Sequence, residues 1–347
     1  MSTKNATSPQ NPQMVLVDDF AYHWPYPVFC NPADNNGVTG NVNWACYNAL
    51  SVGSSQHINS NHYVWASHSS CVNPSPEYGS VPDREMPYVL APGMWPYEVV
   101  DNPDCGYDLH APSANYPSGY KPVGFDFEAA LKTPLNHGWM GTSLAAPTAN
   151  GIAACVISAN PGAFSSWPEK VRLAMILTAQ NCDGVEWNCN IDGRDGAGTI
   201  SGSEAESFAM NHTPVYPDNS ACFSGLCASA WGSSDYTSKK FNILIANRPV
   251  GKHLRIVLTW DSKPYLPAAQ NFLSDLDLSC FNGYQFLWSS TSYNGNVEVV
   301  DIPRSSLSTG QTIQAYINPF TMRFHPDDNP KFFYYAIGWT WVEDQAQ

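Results

Sequence analysis

The residues Gly141-Thr-Ser-Leu-Ala-Ala-Pro place a serine, Ser143, at the head of a run of small apolar residues. The glycine before it lets a second backbone approach closely. A serine at a helix start has its hydroxyl beside unpaired N–H groups and the positive end of the helix, which suits a nucleophile whose oxyanion is stabilised on the spot. The same residues also read as an ordinary N-cap on a core helix. A serine hydroxyl is a poor nucleophile until a base takes its proton, and His57, His62, His68 and His137 lie in contexts that mark none of them as that base. Asp275 and Asp277, two apart on a period-two strand, would face one side and are a candidate calcium pair, or else a solvated strand face. Trp288, Tyr293, Trp339 and Trp341 are candidates for a sugar- or peptide-binding surface, though their spacing also fits a core.

The elements that must position these residues follow from periodicity and turn signals. Residues 14–30 read as a short helix ending before Pro25 and a strand near Val28 and Phe29. Ala49-Leu-Ser-Val-Gly and Tyr88-Val-Leu-Ala-Pro-Gly read as short buried strands, the second closed by its Pro-Gly turn. Residues 142–160 carry no charge and predict a helix buried on all sides, stopped by Pro161-Gly162. A second helix opens at Trp167-Pro-Glu and runs through Val171-Arg-Leu-Ala-Met-Ile-Leu-Thr-Ala. This alternation predicts an α/β fold with a mostly parallel sheet. After about residue 220 the period becomes two, in Phe241-Asn-Ile-Leu-Ile, Leu254-Arg-Ile-Val-Leu-Thr-Trp, Asn296-Val-Glu-Val-Val and Thr312-Ile-Gln-Ala-Tyr-Ile, which predicts an antiparallel β-sandwich of jelly-roll type.

Gly141-Thr-Ser-Leu-Ala-Ala-Pro resembles the nucleophile motif of the subtilisin-like serine proteases, the subtilases. Ala33-Asp-Asn-Asn-Gly is similar to that family's oxyanion loop. Asn48-Ala-Leu-Ser-Val-Gly, Ala66-Ser-His-Ser-Ser, Pro87-Tyr-Val-Leu-Ala-Pro-Gly and Asp195-Gly-Ala-Gly-Thr-Ile match further segments in order. Leu254-Arg-Ile-Val-Leu-Thr-Trp-Asp, Ser274-Asp-Leu-Asp-Leu and Gly295-Asn-Val-Glu resemble the β-sandwich appended to many members. The resemblance implies a serine endopeptidase with Ser143 as nucleophile and Asn35 in the oxyanion hole, Asn31 or Asn36 taking that place if the loop carries an insertion. It implies substrate binding by Ala33, Asp34, Gly141 and Thr142, a protein or peptide substrate, and no required cofactor. Asp34 stands where the family usually has glycine. The family's Asp-Thr-Gly and His-Gly-Thr-His segments, which precede the oxyanion asparagine, do not occur among residues 1–34. The sequence therefore reads as a fragment, nearly inactive alone, whose missing half lies upstream or on a second chain. The alternative is a catalytically dead relative that acts by binding outside the cell.

Composition narrows the setting. A formal net charge of −14, without a cluster of Lys or Arg, excludes nucleic acid as a partner. No stretch approaches the ~20 apolar residues of a membrane span. Ten scattered cysteines suggest an oxidising, extracellular location, with Cys182–Cys189 and Cys222–Cys227 close enough to close small loops and Cys155 a buried free thiol. The polar start resembles no signal peptide. The expected organisation is a disordered leader at 1–13, a partial subtilisin-like α/β domain at 14–215 with an insertion at 94–139, and a β-sandwich at 220–345. Asp192, Arg194 and Asp195 read as a structural turn.

Overall fold

Helix α1 (Pro12–Tyr22) opens the described chain, beginning inside the expected leader because Pro12 is well suited to the first helical turn. The computed structural model describes residues 12–23, 27–42, 44–59, 62–66, 69–71, 84, 86–94, 141–182, 195–215, 225–233, 235–265, 270–324 and 331–343. The expected insertion apart from Met94, the turn residues Asp192 and Arg194, His68, His137, Cys105, Cys189 and Cys222 fall outside these residues.

Strand β2 (Leu50–Asn59) is the axis of the first sheet. It pairs in parallel with β1 (Cys30–Pro32) on one side and with β4 (Val89–Met94) on the other. Its far half turns back antiparallel into β3 (His62–Trp65). His57 and His62 are therefore strand residues of a hairpin rather than loop residues. The first strand lies two residues later than Val28 and Phe29, and β4 runs through Pro92-Gly93 instead of ending there. A register shift between Ser55 and Gln56 accommodates that crossing, the kind of irregularity at which a strand tolerates proline.

Helix α2 (Thr142–Ala159) lies against β2 and β4 through Ala145, Ala149, Ala153 and Val156, spaced three or four apart. It is not buried on all sides. Ser143, Pro147, Asn150, Gly151, Ala154 and Cys155 form an exposed stripe, because a helix packed on one sheet buries only the face turned to it. By length and hydropathy α2 would reach across a membrane, the one described helix that would, but its seat in the α/β core is that of a core helix. Helix α3 (Pro161–Phe164) is a single turn leading to α4 (Pro168–Leu177), where Pro168 takes the first helical position. Helix α5 (Gly202–Asn211) starts on Ser201, whose hydroxyl accepts from the Glu204 backbone N–H. That cap is legible in the Ser201-x-x-Glu204 spacing.

The C-terminal part holds two four-stranded antiparallel sheets. One has the order β11 (Gln285–Ser290), β10 (Asp275–Asn282), β13 (Thr312–Thr321), β6 (Lys239–Leu244). The other has the order β12 (Val297–Ile302), β7 (Lys252–Trp260), β14 (Phe332–Glu343), β5 (Leu226–Gly232). Side chains from both, among them Ile256, Leu278, Ile317 and Ile337, build one core between the sheets. A short hairpin, β8 (Lys263–Tyr265) with β9 (Gln270–Phe272), reaches back to α1.

The two parts share more than a boundary. The β12-β7-β14-β5 sheet turns its second face to the helices, and Val257, Val297, Val299 and Ala336 complete the α/β core with Leu173 and Leu177 of α4. All ten residues of α4 are buried, Glu169, Lys170 and Arg172 included. Burying charge is costly unless it is paired and hydrogen-bonded, and here it is. Arg172 donates to Asp261 Oδ1 at 2.8 Å and to the carbonyls of Tyr47 and Trp260. Arg255 meets Asp301 with both Nε and Nη2, at 2.7 and 2.8 Å, and its Nη1 reaches the carbonyls of Ala179 and Ala197. Arg84 lies 4.2 Å above the Tyr47 ring and donates to the carbonyls of Ala45 and Cys46. Asn48 and Asn296 each bridge the two parts through their side-chain amides. Asp18 of α1 accepts from the backbone N–H groups of Tyr47 and Asn48. It therefore has a structural task far from catalysis.

Burial sets the protonation of this seam. It lifts Asp18 and Asp261 to about 6, against the ordinary 3.8. It lifts Glu169, which hydrogen-bonds Asp261, well above the usual carboxylate range. Burial would raise Asp301 as well, but Arg255 outweighs it and holds that carboxyl well below its ordinary value. The thiols give a mixed answer. Cys227 is disulfide-bonded, whereas Cys30, Cys46 and Cys280 are buried free thiols. Cys182 hydrogen-bonds through Sγ to the Gln180 carbonyl, and its N–H donates to Asp195, confirming Asp195 as structural. Cys155 is free but exposed, on the open stripe of α2.

Candidate active site

Three backbone segments converge on the start of α2. Gly141 N donates to Gly93 O at 2.8 Å, so the end of β4 delivers the chain to the helix. A Cβ on Gly93 would lie 2.6 Å from the Gly141 carbonyl oxygen, and one on Gly141 would lie 3.2 Å from Ser143 Oγ and 3.4 Å from the Asn35 amide. Both positions need glycine for this close approach. The loop after β1 supplies the third segment, with Ala33 N held by Val52 O at 2.9 Å and Asp34 O accepting from Ser70 N at 2.9 Å.

Asn35 is tied across this junction. Its Oδ1 accepts the Thr142 N–H at 2.8 Å, and since that donor demands an oxygen, Nδ2 is the group left to face outward. Ser143 is exposed. Leu144 N and Ala145 N both turn back to Gly141 O, and among the described residues the Ser143 N–H at the helix start has no backbone acceptor. Ser143 Oγ and the Asn35 amide thus both lie beside Gly141 at the positive end of α2. A negative oxygen held there would gain two donors and the helix dipole. Asn31 and Asn36 are directed elsewhere, toward Cys46 and the Asp34 carboxylate.

Asp34 shows why its position favours glycine. Its φ is +105°, a backbone region in which a side chain is strained. Its carboxylate offsets part of that by accepting from Asn35 N at 2.7 Å and Asn36 Nδ2 at 2.6 Å, while its own N–H donates to Thr142 Oγ1 at 3.1 Å. Ala33 and Thr142 are fully buried, so they position the site and offer no side chain to a ligand. Ser70, whose Oγ receives Asn36 N at 3.0 Å, is a supporting residue that the sequence alone did not single out. Only the Ala66-Ser-His-Ser-Ser segment hinted at it.

No histidine with a described side chain serves Ser143. His23 bonds Asp19, His212 stacks on Phe208, and His253 pairs with Asp301. The acidic pair of β10 also differs from expectation. Asp275 is buried and Asp277 half-buried, and the register shift beside them leaves Phe320 of β13 without a partner on β10. Among the described residues no three His, Cys, Asp or Glu side chains are grouped to hold a metal ion. Of the four aromatic candidates, Trp339 and Trp341 pack on the sandwich core and Tyr293 lies against Phe320, leaving Trp288 as the exposed one.

Residues 28–198, which contain Asn35, Gly141 and Ser143, match the family model of the subtilase family, peptidase S8. The match takes in just under half of the 347 residues. Among solved structures the chain is similar to one described as the structure of the patellamide maturation protease PatA, at 21% identity and a TM-score of 0.31. That match covers 52% of this chain and 51% of the other, so it spans about half of that protein's length. A comparison with curated proteins returned no match.

Proposed function

We propose that this chain carries the nucleophile half of a subtilisin-like serine peptidase. The observation that carries the reading is the juxtaposition of Ser143 Oγ and the Asn35 amide beside Gly141 at the start of α2, 3.2 and 3.4 Å from where a Cβ on that glycine would lie. In the proposed reaction Ser143 Oγ attacks the carbonyl carbon of a protein or peptide substrate. The carbonyl π electrons move to oxygen, which is held by the two donors, and the hydroxyl proton leaves to a base. Collapse of this intermediate, with the base returning its proton to the leaving nitrogen, expels the amine and leaves an acyl group on Ser143 for water to remove. The chemistry needs no cofactor. The base and its orienting carboxylate are not supplied by a described side chain, and their loss costs a subtilisin on the order of 10⁴–10⁶ in turnover. We therefore assign them to a further segment or a second chain.

An extracellular location belongs to the same proposal. Sparse lysine and abundant Asn, Trp and Tyr support it, while the buried free thiols Cys30, Cys46 and Cys280 weigh against the argument from cysteine number. The strand orders of the two C-terminal sheets support reading that region as a jelly roll. A second reading, a silent subtilase relative that acts by binding, is favoured by the engagement of His23, His212 and His253 away from Ser143.

A fluorophosphonate probe separates the two. The peptidase reading expects slow labelling that vanishes in Ser143→Ala and accelerates with added imidazole as a diffusible base. Absence of labelling even with imidazole, or equal labelling of Ser143→Ala, would favour the silent relative.

A further inference from the structure

The two C-terminal sheets differ in how they are covered. The β12-β7-β14-β5 sheet is packed on both faces, against the opposite sheet and against the helices. On the outer face of the β11-β10-β13-β6 sheet lies a cleft of about 460 Å³, lined by Ser238, Ser279, Phe281, Tyr284, Tyr316 and Asn318. That volume lies within the range of small-ligand sites, about 300–1,000 Å³. We propose that this cleft binds a neutral polysaccharide through sugar rings stacked on Tyr284, Tyr316 and Phe281.

The rings form a fixed platform. Phe281 meets Tyr316 edge-on at 5.6 Å and 90°, and meets Phe286 at 5.6 Å and 74°. Edge-to-face contacts of this kind hold aromatic side chains in place beyond what their buried area does. Tyr284 stands beyond them at the tip of the β10–β11 hairpin, wholly exposed, a large ring that the fold keeps in water.

The polar lining is equally ordered. Ser238 Oγ donates to Asn318 Oδ1 at 2.7 Å, and Asn318 Nδ2 donates to Ser279 Oγ at 2.8 Å. Each group is held by its neighbour and retains capacity outward: a second N–H on Asn318, the hydroxyl hydrogen of Ser279 and a lone pair on Ser238. A sugar ring is the matching ligand, apolar on its C–H face and rimmed by hydroxyls that both donate and accept.

Other occupants fit less well. A peptide added to a sheet binds at an edge, where backbone groups are unpaired. This cleft lies on the face, over the β10–β13 ladder whose hydrogen bonds are already made, and no aliphatic side chain lines it. Its lining bears no charge, the nearest cation on that face being Lys240, placed 5.8 Å over the Tyr316 ring. An anionic polymer would also face a net charge of −14.

Affinity electrophoresis of the full chain in native gels containing laminarin, hydroxyethyl cellulose, glucomannan or pullulan tests this. At least one polymer is expected to retard the protein. Tyr284→Ala, at an exposed tip where folding is not at stake, should weaken that retardation about tenfold, the cost of truncating an aromatic anchor; Asn318→Ala should weaken it as well. Ser143→Ala should change nothing. The proposal is overturned if no polymer retards the chain, if Tyr284→Ala binds like the unaltered protein, or if gelatin is bound with the same sensitivity to Tyr284→Ala while the polysaccharides are not.

Discussion

The start of α2 and the seam between the two parts are both polar, yet they treat polarity in opposite ways. In the seam, Arg84, Arg172, Arg255, Asp18, Asp261 and Asp301 are buried and each is met by named partners. At the helix start, Ser143 and Asn35 are exposed, and among the described residues the Asn35 side chain answers only the Thr142 N–H. Buried, answered polarity fixes a structure, because losing one partner strands the other. Exposed, unanswered polarity contributes little to folding and is available for chemistry.

The strongest way to break that contrast is Asp301→Ala. It leaves Arg255 charged and buried, and should cost about 3–5 kcal/mol. The loss should be read in urea unfolding as one transition in which both parts melt together; a loss under about 1 kcal/mol would show that the seam is not what joins them.

Acidity should act on the same region with a definite sign. Asp18 and Asp261 have folded values near 6, above the ordinary 3.8, so the folded chain holds more protons than the unfolded one between those limits. Stability must then fall as pH rises from about 4 to about 6. Asp301, held below its ordinary value, gives the opposite limb, losing its contribution as pH falls below 3.8. The melting temperature should peak near pH 4–5 and fall toward neutral pH. Glu169→Gln, which keeps a hydrogen-bond donor beside Asp261, should flatten the neutral side of that curve. A melting temperature still climbing between pH 5 and 7 would refute the assignment.

Changes at the helix start should be smaller. Asn35→Ala removes the acceptor of the Thr142 N–H and should cost about 1 kcal/mol, as the loss of a helix cap does. Ser143→Ala should stay within about 0.5 kcal/mol while abolishing probe labelling. If Ser143→Ala destabilised the fold as much as Asp301→Ala does, the helix start would be a structural joint and the contrast would fail.

Much of this was legible in the residues. Gly141-Thr-Ser-Leu-Ala-Ala-Pro announced the close backbone approach and the helix start because each residue there is fixed by local geometry. The strangeness of Asp34 was visible beforehand, and its φ of +105° supplies the cause. The seam was not legible. Nothing near Arg172 in sequence predicts Asp261, 89 residues on, and a helix whose ten residues are all buried violates the amphipathic pattern that makes helices readable. Cys155 and the open stripe of α2 were misread because small uncharged residues look alike whether they face a sheet or solvent. The β10–β11 cleft was missed since its rings come from two strands and a hairpin tip, with no common period.

Strand β14 lies between β5 and β7, and its Ala336 belongs to the core shared with α2 and α4. The interior of the α/β part is complete only once Phe332–Glu343 has docked on it. Removing β14 would therefore open the interiors of both parts at once.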